Sequence, residues 1–562
     1  MKFELQSVKE RTINKGKRGI NQVIFGRTTI VLGSILVQLL LLLLYMTYLA
    51  QHIYVFFGGY LTFGALISIM IMNRTTNPGF QLSWVLLIML FPIVGGLFYL
   101  YVEFQPTTFF LKKSLETMDL KTKGIPVQKQ ETVEALRTEN ENTAHLAEYL
   151  YYQEEFPVYP NTGVTYFESG EKKFEELVSQ LKKARTYIFL EYFILAEGIF
   201  WDTIHEVLKA KVQEGVEVRL LYDGMNDLNN LPDDFQATLK REGIQCKVFS
   251  KVYPVISTHY NNRDHRKIAV IDGRIAFTGG VNLADEYINQ KKRFGHWKDA
   301  AVMLQGEAVQ SFLLMFLKMW NLIEPCEDIR GFLEKADPIE KQLTDAGKEA
   351  AELQKEELAA DPPKETQPET GDAPQSLIPS RGYVIPYATN PFHGERIAER
   401  VYMDILNHAR HYVHIMTPYL VPDYEMLQAL IYAAKRGVDV KLILPHIPDK
   451  KYAFALAHSY YSDLLESGVK IYEYTPGFVH SKVFVSDNRK AVVGTINLDY
   501  RSLYLNFECA VYLYEVAAIE DIEADFRRTL PECHLVTAFD IRHDRLLRKV
   551  AGALLKPLAP LM

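Results

Sequence analysis

The chain has 562 residues, of which 48% are hydrophobic and 12% aromatic, so it can form two or more domains around a large core. Its formal net charge of -7 argues against broad nucleic-acid binding, which usually needs a basic excess, and no nucleic acid is expected as a partner. The four cysteines form neither a CxxC pair nor a disulfide framework, which favours a reducing compartment for the soluble part.

The N-terminal fifth of the chain is basic at its start and apolar after that. Residues 1–27 carry seven Lys and Arg residues. Three uncharged runs follow within residues 28–102, namely Thr28–Leu49, Ile53–Met72 and Leu82–Val102. Each is long enough to span a bilayer, whereas a signal peptide would be shorter and would not be followed by further spans. We therefore expect N-terminal transmembrane helices over 28–102, with buried soluble helices as the alternative.

The distribution of basic residues predicts the topology of this region. Lys and Arg on both sides of the apolar runs favour a cytoplasmic location for both ends. Three full spans cannot satisfy that arrangement, so one run is expected to be re-entrant or interfacial. The third run contains Pro92 and the pair Gly95 and Gly96, which makes it the candidate for the irregular segment. The expectation is a multi-pass protein of the cell membrane with its remaining domains on the cytoplasmic face.

The rest of the chain divides into a connecting segment, two similar halves and a linker. Residues 103–155 connect the apolar region to the first half, which we place at 156–326. Residues 327–375 are rich in Glu, Ala, Pro, Lys and Gln, a composition typical of an acidic disordered linker. A functional acidic segment is the alternative for this stretch. The second half then covers residues 376–562.

Both halves contain the same order of predicted elements. In the first, the strand-like "ARTYIFLEYFIL", the helical "DTIHEVLKAKVQEG" and the strand-like "VEVRLLYDG" follow one another. In the second, "ARHYVHIMTPYL", "EMLQALIYAAKRG" and "VDVKLILP" repeat that order. Each helix ends at a glycine, Gly215 or Gly437, as helix C-termini often do. This order predicts two α/β lobes with mixed or parallel sheets, related by an internal duplication.

Each half also contains one copy of a His-x-Lys-x-x-x-x-Asp motif in an apolar strand, "HRKIAVID" and "HSKVFVSD". The candidate catalytic residues are the six residues of these motifs, His265, Lys267, Asp272, His480, Lys482 and Asp487. Side chains two residues apart share one face of a strand, so each His and its Lys point the same way. The Asp has an odd offset from its His, which directs it to the other face. It is therefore expected to secure the strand end or turn.

The agreement between the halves continues beyond the motifs. Asn282 and Asn497 lie at equal distances after their histidines and are candidate supporting residues. Two such half-sites are expected to meet at a pseudo-twofold axis, where imidazoles, ammonium groups and amides would bind a phosphate. One His can attack phosphorus while the other protonates the leaving oxygen. Structural histidines and a metal site are the alternatives, but a Lys beside each His opposes metal binding, so neither metal nor cofactor is expected.

These motifs resemble the paired HKD motifs of the phospholipase D superfamily and, more narrowly, those of bacterial cardiolipin synthases. The similar segments are "NRDHRKIAVIDGRIAFTGGVNLADEY", "TPYLVPD", "SYYSDLLESGVKIYEYTPGFVHSKVFVSD" and "VGTINLDYRSLYLNFE". The resemblance implies that two phosphatidylglycerol molecules yield cardiolipin and glycerol through a phosphohistidine, without metal or nucleotide. It also implies that an acid downstream of each motif orients the histidine, and the matching positions are Asp299 and Glu508.

The choice of histidine and of acceptor is not contained in the spacing. Superfamily precedent implies that His265 is the nucleophile and His480 the general acid. Phosphatidylglycerol and other membrane phospholipids are the expected partners, but water or another alcohol could replace the lipid acceptor. A nuclease is opposed by the acidic balance and the apolar runs, and a non-catalytic membrane scaffold is the non-enzyme alternative. The sequence does not specify the oligomeric state.

The C-terminal segment "FDIRHDRLLRKVAGALLKPLAPLM" has basic and apolar residues at helical spacing. Two interpretations fit this pattern equally well. The helix either lies on an anionic membrane surface, or it packs on the second lobe with a solvated basic face.

We predict that deleting Lys348–Pro374 within the linker leaves the specific activity with phosphatidylglycerol largely unchanged. The reason is that the composition of this stretch cannot bury a core, so it should contribute nothing to the two lobes. The measurement compares full-length and deleted protein at equal amounts in the same vesicles. Loss of activity in a folded, membrane-bound deletion variant would show that the segment is functional.

Overall fold

The computed structural model describes residues 27–48, 53–104, 106–251, 262–323, 329, 331–332 and 381–561. The predicted basic segment 1–27 and the predicted linker 327–375 therefore lie almost entirely outside the described residues. The described parts of the chain form a group of N-terminal helices followed by two α/β lobes.

The apolar region forms helices, which are α1 Arg27–Tyr48, α2 Ile53–Met72, α3 Pro78–Leu90 and α4 Pro92–Glu103. In the part of the chain that the structure describes, no helix is both long enough and apolar enough to cross a membrane. The transmembrane helices expected over 28–102 are therefore not confirmed.

The third apolar run is interrupted at the proline, as the sequence predicts. Proline lacks an N–H donor and its ring clashes with the preceding turn, but it is tolerated in the first turn of a helix. Helix α3 therefore ends at Leu90, and α4 begins at Pro92. Gly95 allows α4 to fold back on α3, because a Cβ atom there would lie 2.9 Å from the carbonyl oxygen of Leu87. The two helices consequently form a tight hairpin.

The connecting segment forms helices, which are α5 Pro106–Thr122, α6 Gln130–Glu139 and α7 Glu141–Glu154. Leu136 and Leu150 of α6 and α7 are buried in the core of the second lobe. Leu115 and Met118 of α5 belong instead to a core that both lobes share. This segment therefore packs against both lobes, although it precedes them in the chain.

The first lobe is built on a seven-stranded sheet with the strand order β2-β9-β7-β6-β3-β4-β5. The strands of this part of the chain are β1 Tyr159–Pro160, β2 Gly163–Phe167, β3 Tyr187–Tyr192, β4 Glu217–Asp223, β5 Gln245–Phe249, β6 Lys267–Ile271, β7 Ile275–Gly279, β8 His296–Lys298 and β9 Ala301–Gln305. The helices are α8 Gly170–Lys183, α9 Ile199–Gln213, α10 Met225–Asn229, α11 Phe235–Arg241 and α12 Val309–Ile323.

The second lobe has a nine-stranded sheet with the order β1-β10-β19-β17-β16-β11-β13-β14-β20. Its strands are β10 Tyr383–Thr389, β11 Tyr412–Met416, β12 Leu420–Val421, β13 Asp439–Pro445, β14 Lys470–Tyr474, β15 Gly477–Val479, β16 Val483–Ser486, β17 Lys490–Gly494, β18 Leu498–Asp499, β19 Glu508–Tyr514 and β20 Cys533–Leu535. Its helices are α13 Ile397–His408, α14 Tyr424–Lys435, α15 Lys451–Glu466, α16 Ala518–Thr529, α17 Ala538–His543 and α18 Leu546–Leu555.

The two sheets have the same topology, which confirms the predicted duplication. The order β2-β9-β7-β6-β3-β4-β5 of the first lobe corresponds strand by strand to β10-β19-β17-β16-β11-β13-β14 of the second. In each sheet, three strands that include a strand–helix–strand unit are parallel, and the remaining pairs are antiparallel. The strands β6 and β7 and their counterparts β16 and β17 are buried at every position. Both sheets are thus mixed, as predicted.

The lobes are joined by backbone pairing as well as by their shared core. Strand β8 of the first lobe pairs in parallel with β15 of the second. An isolated bridge joins Asp264 to Phe507. Both contacts lie directly beside a motif histidine, so the interface between the lobes and the position of the two motifs are fixed together.

The motif aspartates hold the ends of neighbouring strands. The Asp272 carboxylate accepts hydrogen bonds from the backbone N–H groups of Arg185, Thr186 and Tyr187 at 2.7–3.0 Å. The Asp487 carboxylate does the same for the backbone N–H groups that lead into β11, at 2.8–2.9 Å. The motifs group Asp272 and Asp487 with the candidate catalytic residues, but their carboxylates bind the backbone at the start of strands β3 and β11, as the odd offset predicts.

We predict that Asp272→Ala lowers the free energy of unfolding by about 1–3 kcal/mol, because it leaves several backbone donors without their acceptor. Asp487→Ala should have a similar effect. Activity at temperatures below the unfolding transition should remain close to that of the wild type. Denaturant unfolding and initial rates measure the two quantities.

Asp234→Ala is a matched control for these variants. Asp234 precedes α11 and makes no side-chain capping hydrogen bond, so its loss should not change stability. A folded Asp272 variant of normal stability but without activity would assign that carboxylate to the chemistry instead.

Candidate active site

The two motif histidines are held at the junction of the lobes by backbone hydrogen bonds from the opposite lobe. The His265 N–H donates to the carbonyl of Phe507 at 2.9 Å, and the His480 N–H donates to the carbonyl of Lys298 at 2.7 Å. Each histidine residue exposes only 8% of its surface to solvent. The duplicated motifs are therefore placed at equivalent positions, where each lobe completes the surroundings of the other's histidine.

A carboxylate from the opposite lobe binds Nδ1 of each histidine. His265 Nδ1 lies 2.8 Å from Oε2 of Glu508, and His480 Nδ1 lies 2.7 Å from Oδ2 of Asp299. The acids are those that the family resemblance implied, but each binds the histidine of the opposite lobe instead of the histidine of its own motif. Because each carboxylate accepts a hydrogen bond from an Nδ1–H, the lone pair of each neutral imidazole is on Nε2. That nitrogen is then the one able to attack or to transfer a proton.

The motif lysines fold back beside their own histidines. Lys267 Nζ donates to the carbonyl oxygen of His265, and Lys482 Nζ donates to that of His480. The two ammonium groups act electrostatically on both imidazoles, since each histidine feels the lysine of the other motif as well as its own. The two half-sites therefore form one electrostatic unit, in which a bound phosphate anion would favour the charged form of both lysines.

The two half-sites differ in the residue that stands beside the acid. A Cβ atom at Gly280 would lie 1.9 Å from Oδ1 of Asp299, so no other residue fits there without displacing the carboxylate. The equivalent position in the second lobe is Thr495, whose hydroxyl donates to Oε2 of Glu508 at 2.5 Å. Asp299 thus occupies space that a side chain at position 280 would fill, whereas Glu508 is held by an additional hydrogen bond from Thr495.

Burial and the neighbouring cations keep both histidines neutral at pH 7. Burial, reinforced by Lys267 and Lys482, holds the pKa of His265 well below its usual value. Burial and Lys482 lower the pKa of His480 to about 3, although Asp299 acts in the opposite direction. Neutral Nε2 atoms are available as nucleophile and base, whereas a general acid requires a source of negative charge that raises its pKa.

The acids and lysines show a second asymmetry. Burial raises the pKa of Glu508 to about 7, and Lys267 offsets only part of that shift. Burial alone would also raise the pKa of Asp299, but His480 and Lys482 outweigh it and hold that pKa below its usual value. Burial lowers the pKa of Lys267 to about 8 and that of Lys482 to about 7. Asp299 is therefore the more fully ionised of the two acids.

Aromatic rings and amides complete the walls around the histidines. The rings of Trp297 and Tyr287 lie 5.3 and 5.4 Å from the His480 ring, and that of Phe193 lies 4.8 Å from the His265 ring. Asn282 accepts from the backbone N–H of Ile194 at 2.9 Å and donates to the Tyr287 hydroxyl at 2.7 Å. Asn282 therefore positions an aromatic wall.

Asn497 is in a different state from its counterpart Asn282. It is buried, and its Oδ1 makes no hydrogen bond among the described residues. Asn282 and Asn497 are thus equivalent in sequence position, as predicted, but they differ in their hydrogen bonds. The duplication alone cannot predict this difference, since it depends on the loops around each amide.

Two features of the site were not predicted from the sequence. Lys450 follows β13 in the second lobe, and its positive charge acts on His265 of the first lobe. The mismatch between "TGGVNL" and "VGTINL" contains the signal for Thr495, because Thr replaces the glycine beside the acid. No spacing within one lobe could have indicated Lys450, because its effect crosses the interface.

The described residues contain one group of side chains with the spacing of a metal site, Glu399, Asp423 and Glu425. It lies where the loop before α3 contacts the second lobe. Asp423 is already used there, because Oδ1 accepts from the Met426 N–H and Oδ2 accepts from Asn77 at 2.9 Å. We assign this group no part in the paired histidine site.

Two equivalent α/β lobes that bring His-x-Lys motifs to one buried interface define the class of protein as the phospholipase D superfamily. A family model described as "Cardiolipin synthase, PLD-like domain" matches residues 177–320 and 402–530. A model described as "Phospholipase_D-nuclease N-terminal" matches residues 61–102.

Relatives match over most of the chain. It is 31% identical over 502 residues to cardiolipin synthase 2 of Bacillus cereus, covering 88% of this chain and 90% of that one. It is 30% identical over 501 residues to the cardiolipin synthase of Halalkalibacterium halodurans, covering 88% and 92%. An uncharacterized protein of Streptococcus mutans is 48% identical over 485 residues, covering 86% and 96%. The chain belongs to the cardiolipin synthase family.

A solved structure supports the fold. The crystal structure of phosphatidylserine synthase from Haemophilus influenzae is similar with a TM-score of 0.53 at 14% sequence identity, covering 75% of this chain and 98% of that chain.

We predict that Glu508→Gln and Asp299→Asn each lower kcat by about two to four orders of magnitude, because an amide at Nδ1 no longer fixes the tautomer with a free Nε2. The measurement is the rate of lipid-product formation by purified variants with unchanged unfolding behaviour.

Glu473→Gln provides the matched control. Glu473 is a buried carboxylate that binds His446 at 2.9 Å, but it belongs to β14 and lies outside the paired site. Its replacement should leave the rate unchanged. A folded Glu508 variant with near-normal turnover would contradict the assigned role.

Proposed function

We propose that this protein transfers a phosphatidyl group from one phosphatidylglycerol molecule to another and releases cardiolipin and glycerol. The observation that carries the proposal is the composite site, in which each buried histidine has an acid from the opposite lobe and two lysines nearby. Membership of the cardiolipin synthase family supports the choice of substrates.

The chemistry proceeds in two transfers at one phosphorus atom. Nε2 of the first histidine attacks the phosphodiester, and the glycerol oxygen leaves with a proton from Nε2 of the second histidine. This forms a phosphatidyl-histidine and free glycerol. The second histidine, now neutral, removes the proton from a hydroxyl of another phosphatidylglycerol. That oxygen attacks phosphorus, breaks the P–N bond and restores the first histidine.

The electrostatic asymmetry supports His265 as the nucleophile and His480 as the acid. A general acid must carry a proton, and the ionised Asp299 favours the imidazolium form of His480. Glu508 is less fully ionised and stabilises an imidazolium at His265 less strongly. This difference favours His265 as the neutral nucleophile with a free Nε2.

The lysines provide the site for the phosphate. Lys267 and Lys482 act on both histidines, so an anion between them would be neutralised at the place where charge develops during transfer. The bound anion would in turn raise the depressed pKa of His480 and favour its protonation. Substrate binding and proton uptake are thus expected to be coupled. This cationic charge also removes the need for a metal at this step.

Limited exposure supports a lipid rather than water as the acceptor. Both histidines are 8% exposed and lie behind aromatic rings. A buried intermediate of this kind would be protected from hydrolysis until a second hydroxyl enters the site. Hydrolysis to phosphatidic acid is the competing outcome that product analysis must distinguish.

We also place the protein in the cell membrane, as a multi-pass protein with the lobes on the cytoplasmic face. Large apolar side chains on α1 to α4 are exposed, including Leu66, Met89 and Leu90 at 62–73%. The α3 helix touches the second lobe, where the Ser83 hydroxyl donates to the carbonyl of Pro557 at 2.6 Å. These contacts would keep the lobes close to the lipid in which the apolar helices reside.

We predict that purified protein converts labelled phosphatidylglycerol to equal amounts of cardiolipin and glycerol. Either His265→Ala or His480→Ala should abolish net formation of cardiolipin, because the first variant lacks the nucleophile and the second lacks the general acid. The lipid products are identified by mass spectrometry. The enzyme is quenched without acid, because a phosphohistidine is acid-labile, and is then digested to locate the labelled histidine. Label is expected on His265.

His408→Ala is the control, since that histidine lies on α13 and pairs with Asp404 outside the site. Phosphatidic acid as the main product, with intact enzyme, would replace the synthase by a hydrolase. Label on His480 would reverse the roles of the two histidines. Normal turnover by either folded histidine variant would contradict the paired site itself.

A further inference from the structure

The C-terminal helices are attached to the second lobe by one face. Helix α18 packs on α15 so closely that a Cβ atom at Gly552 would lie 2.5 Å from the carbonyl oxygen of Ala455. The Asp544 carboxylate lies 3.2 Å from the ring of His458 of α15 and forms an ion pair with Arg548 at 2.9 Å. The packed-helix interpretation of this segment is thus correct for its inner face.

The outer face of the same helices is apolar and exposed. Leu546, Leu547 and Leu554 are 77%, 82% and 70% exposed, and Phe539 of α17 is 67% exposed. Val550 lies between them at helical spacing and is 47% exposed. The four residues on α18 share one side of that helix by their spacing, and large apolar side chains that are exposed together are costly to leave in water and mark an interaction site. We call these five residues the C-terminal apolar face.

Basic residues lie close in sequence to this face and favour an anionic surface as its partner. Residues 538–556 contain five Lys and Arg against two Asp, in a chain whose net charge is -7. Arg542, Arg545 and Lys549 are exposed, whereas both acids are engaged. Exposed cations beside apolar side chains form the pattern of a helix that lies in the headgroup region of an anionic bilayer.

The segment that follows the C-terminal apolar face packs against the N-terminal apolar helices. The last turns of the chain, Lys556–Leu561, contact α3, where Gly79 approaches the ring of Pro560. Leu82, on the same helix, is 62% exposed. Two elements that expose apolar side chains, α3 and α18, are thereby joined through one packed segment, which favours a common lipid surface for both.

Helix α15 connects this face to the active site. Phe454 of α15 has the Arg548 guanidinium 4.9 Å from its ring centre. The same Phe454 lines a cavity with Phe478 and Lys450. Phe478 precedes His480 by two residues, and the charge of Lys450 acts on His265. The C-terminal apolar face is therefore separated from the site's surroundings by one helix.

We infer that α17 and α18 dock the second lobe onto an anionic lipid surface, with the C-terminal apolar face inserted among the lipids. This inference rests on the proposed function, because it names the surface through which the site reaches its lipid substrate. Docking by this face holds the site at the headgroup level independently of the N-terminal helices.

The first test measures insertion directly in the full-length protein. An environment-sensitive fluorophore is attached at Leu547→Cys, after replacement of the accessible cysteines by serine, and the protein is reconstituted in vesicles of phosphatidylcholine and phosphatidylglycerol. Lipid-borne quenchers should reduce the emission at position 547 severalfold. The same fluorophore at Tyr432→Cys, a 58% exposed position on α14, should not be quenched.

The second test separates docking from chemistry. The triple variant Leu546→Gln, Leu547→Gln, Leu554→Gln should lose about tenfold in activity on phosphatidylglycerol vesicles, because about 1.4 kcal/mol of docking free energy corresponds to a tenfold change. It should retain normal activity on monomeric short-chain phosphatidylglycerol. Arg542→Gln, Arg545→Gln, Lys549→Gln should weaken vesicle activity at low salt, and less so at high salt.

A control triple variant changes exposed apolar residues elsewhere. Tyr152, Ile199 and Tyr432 are 72%, 54% and 58% exposed, and their replacement by Gln should leave both activities unchanged. An unquenched label at position 547 in anionic vesicles would overturn the inference. Crosslinking would then show whether a second copy of the protein covers this face instead. Inactivity of the wild type on both forms of phosphatidylglycerol would instead contradict the proposed function.

Discussion

The active site depends on hydrogen bonds between a histidine of one lobe and a carboxylate of the other. His265 is bound by Glu508 and His480 by Asp299, and all four side chains are buried. A buried imidazole next to lysines would otherwise have no fixed tautomer, and a buried carboxylate would be costly without a partner. Each lobe thus stabilises the reactive group of the other, so neither half of the duplication contains a complete site.

This exchange explains why two equivalent lobes can have different roles. Asp299 is held in the space left by Gly280 and is strongly ionised, whereas Glu508 is held by Thr495 and has a raised pKa. A small difference beside each acid therefore leaves the two carboxylates with different tendencies to ionise. Duplication supplies two imidazoles, and we propose that divergence at the acids favours one for attack and the other for protonation.

Much of this arrangement could be predicted from the sequence, because it depends on local periodicity. The odd offset of Asp272 from His265 predicts a strand-end role, and the carboxylate indeed binds the backbone before β3. Pro92 predicts the break between α3 and α4. The crossing of Asp299 and Glu508 could not be predicted, because it depends on how the sheets pack. The transmembrane helices stay a prediction, since apolar composition alone does not define a span.

The most direct test of the account is nitrogen and proton NMR of the full-length protein with labelled histidine. The Nδ1 protons of His265 and His480, bonded to carboxylates, should give separate strongly downfield signals that His265→Gln and His480→Gln assign. Glu508→Gln should remove the His265 signal and retain that of His480, and Asp299→Asn should do the reverse. Loss of the signal from the histidine of the same lobe, or no change in either variant, would contradict the exchange of acids between the lobes.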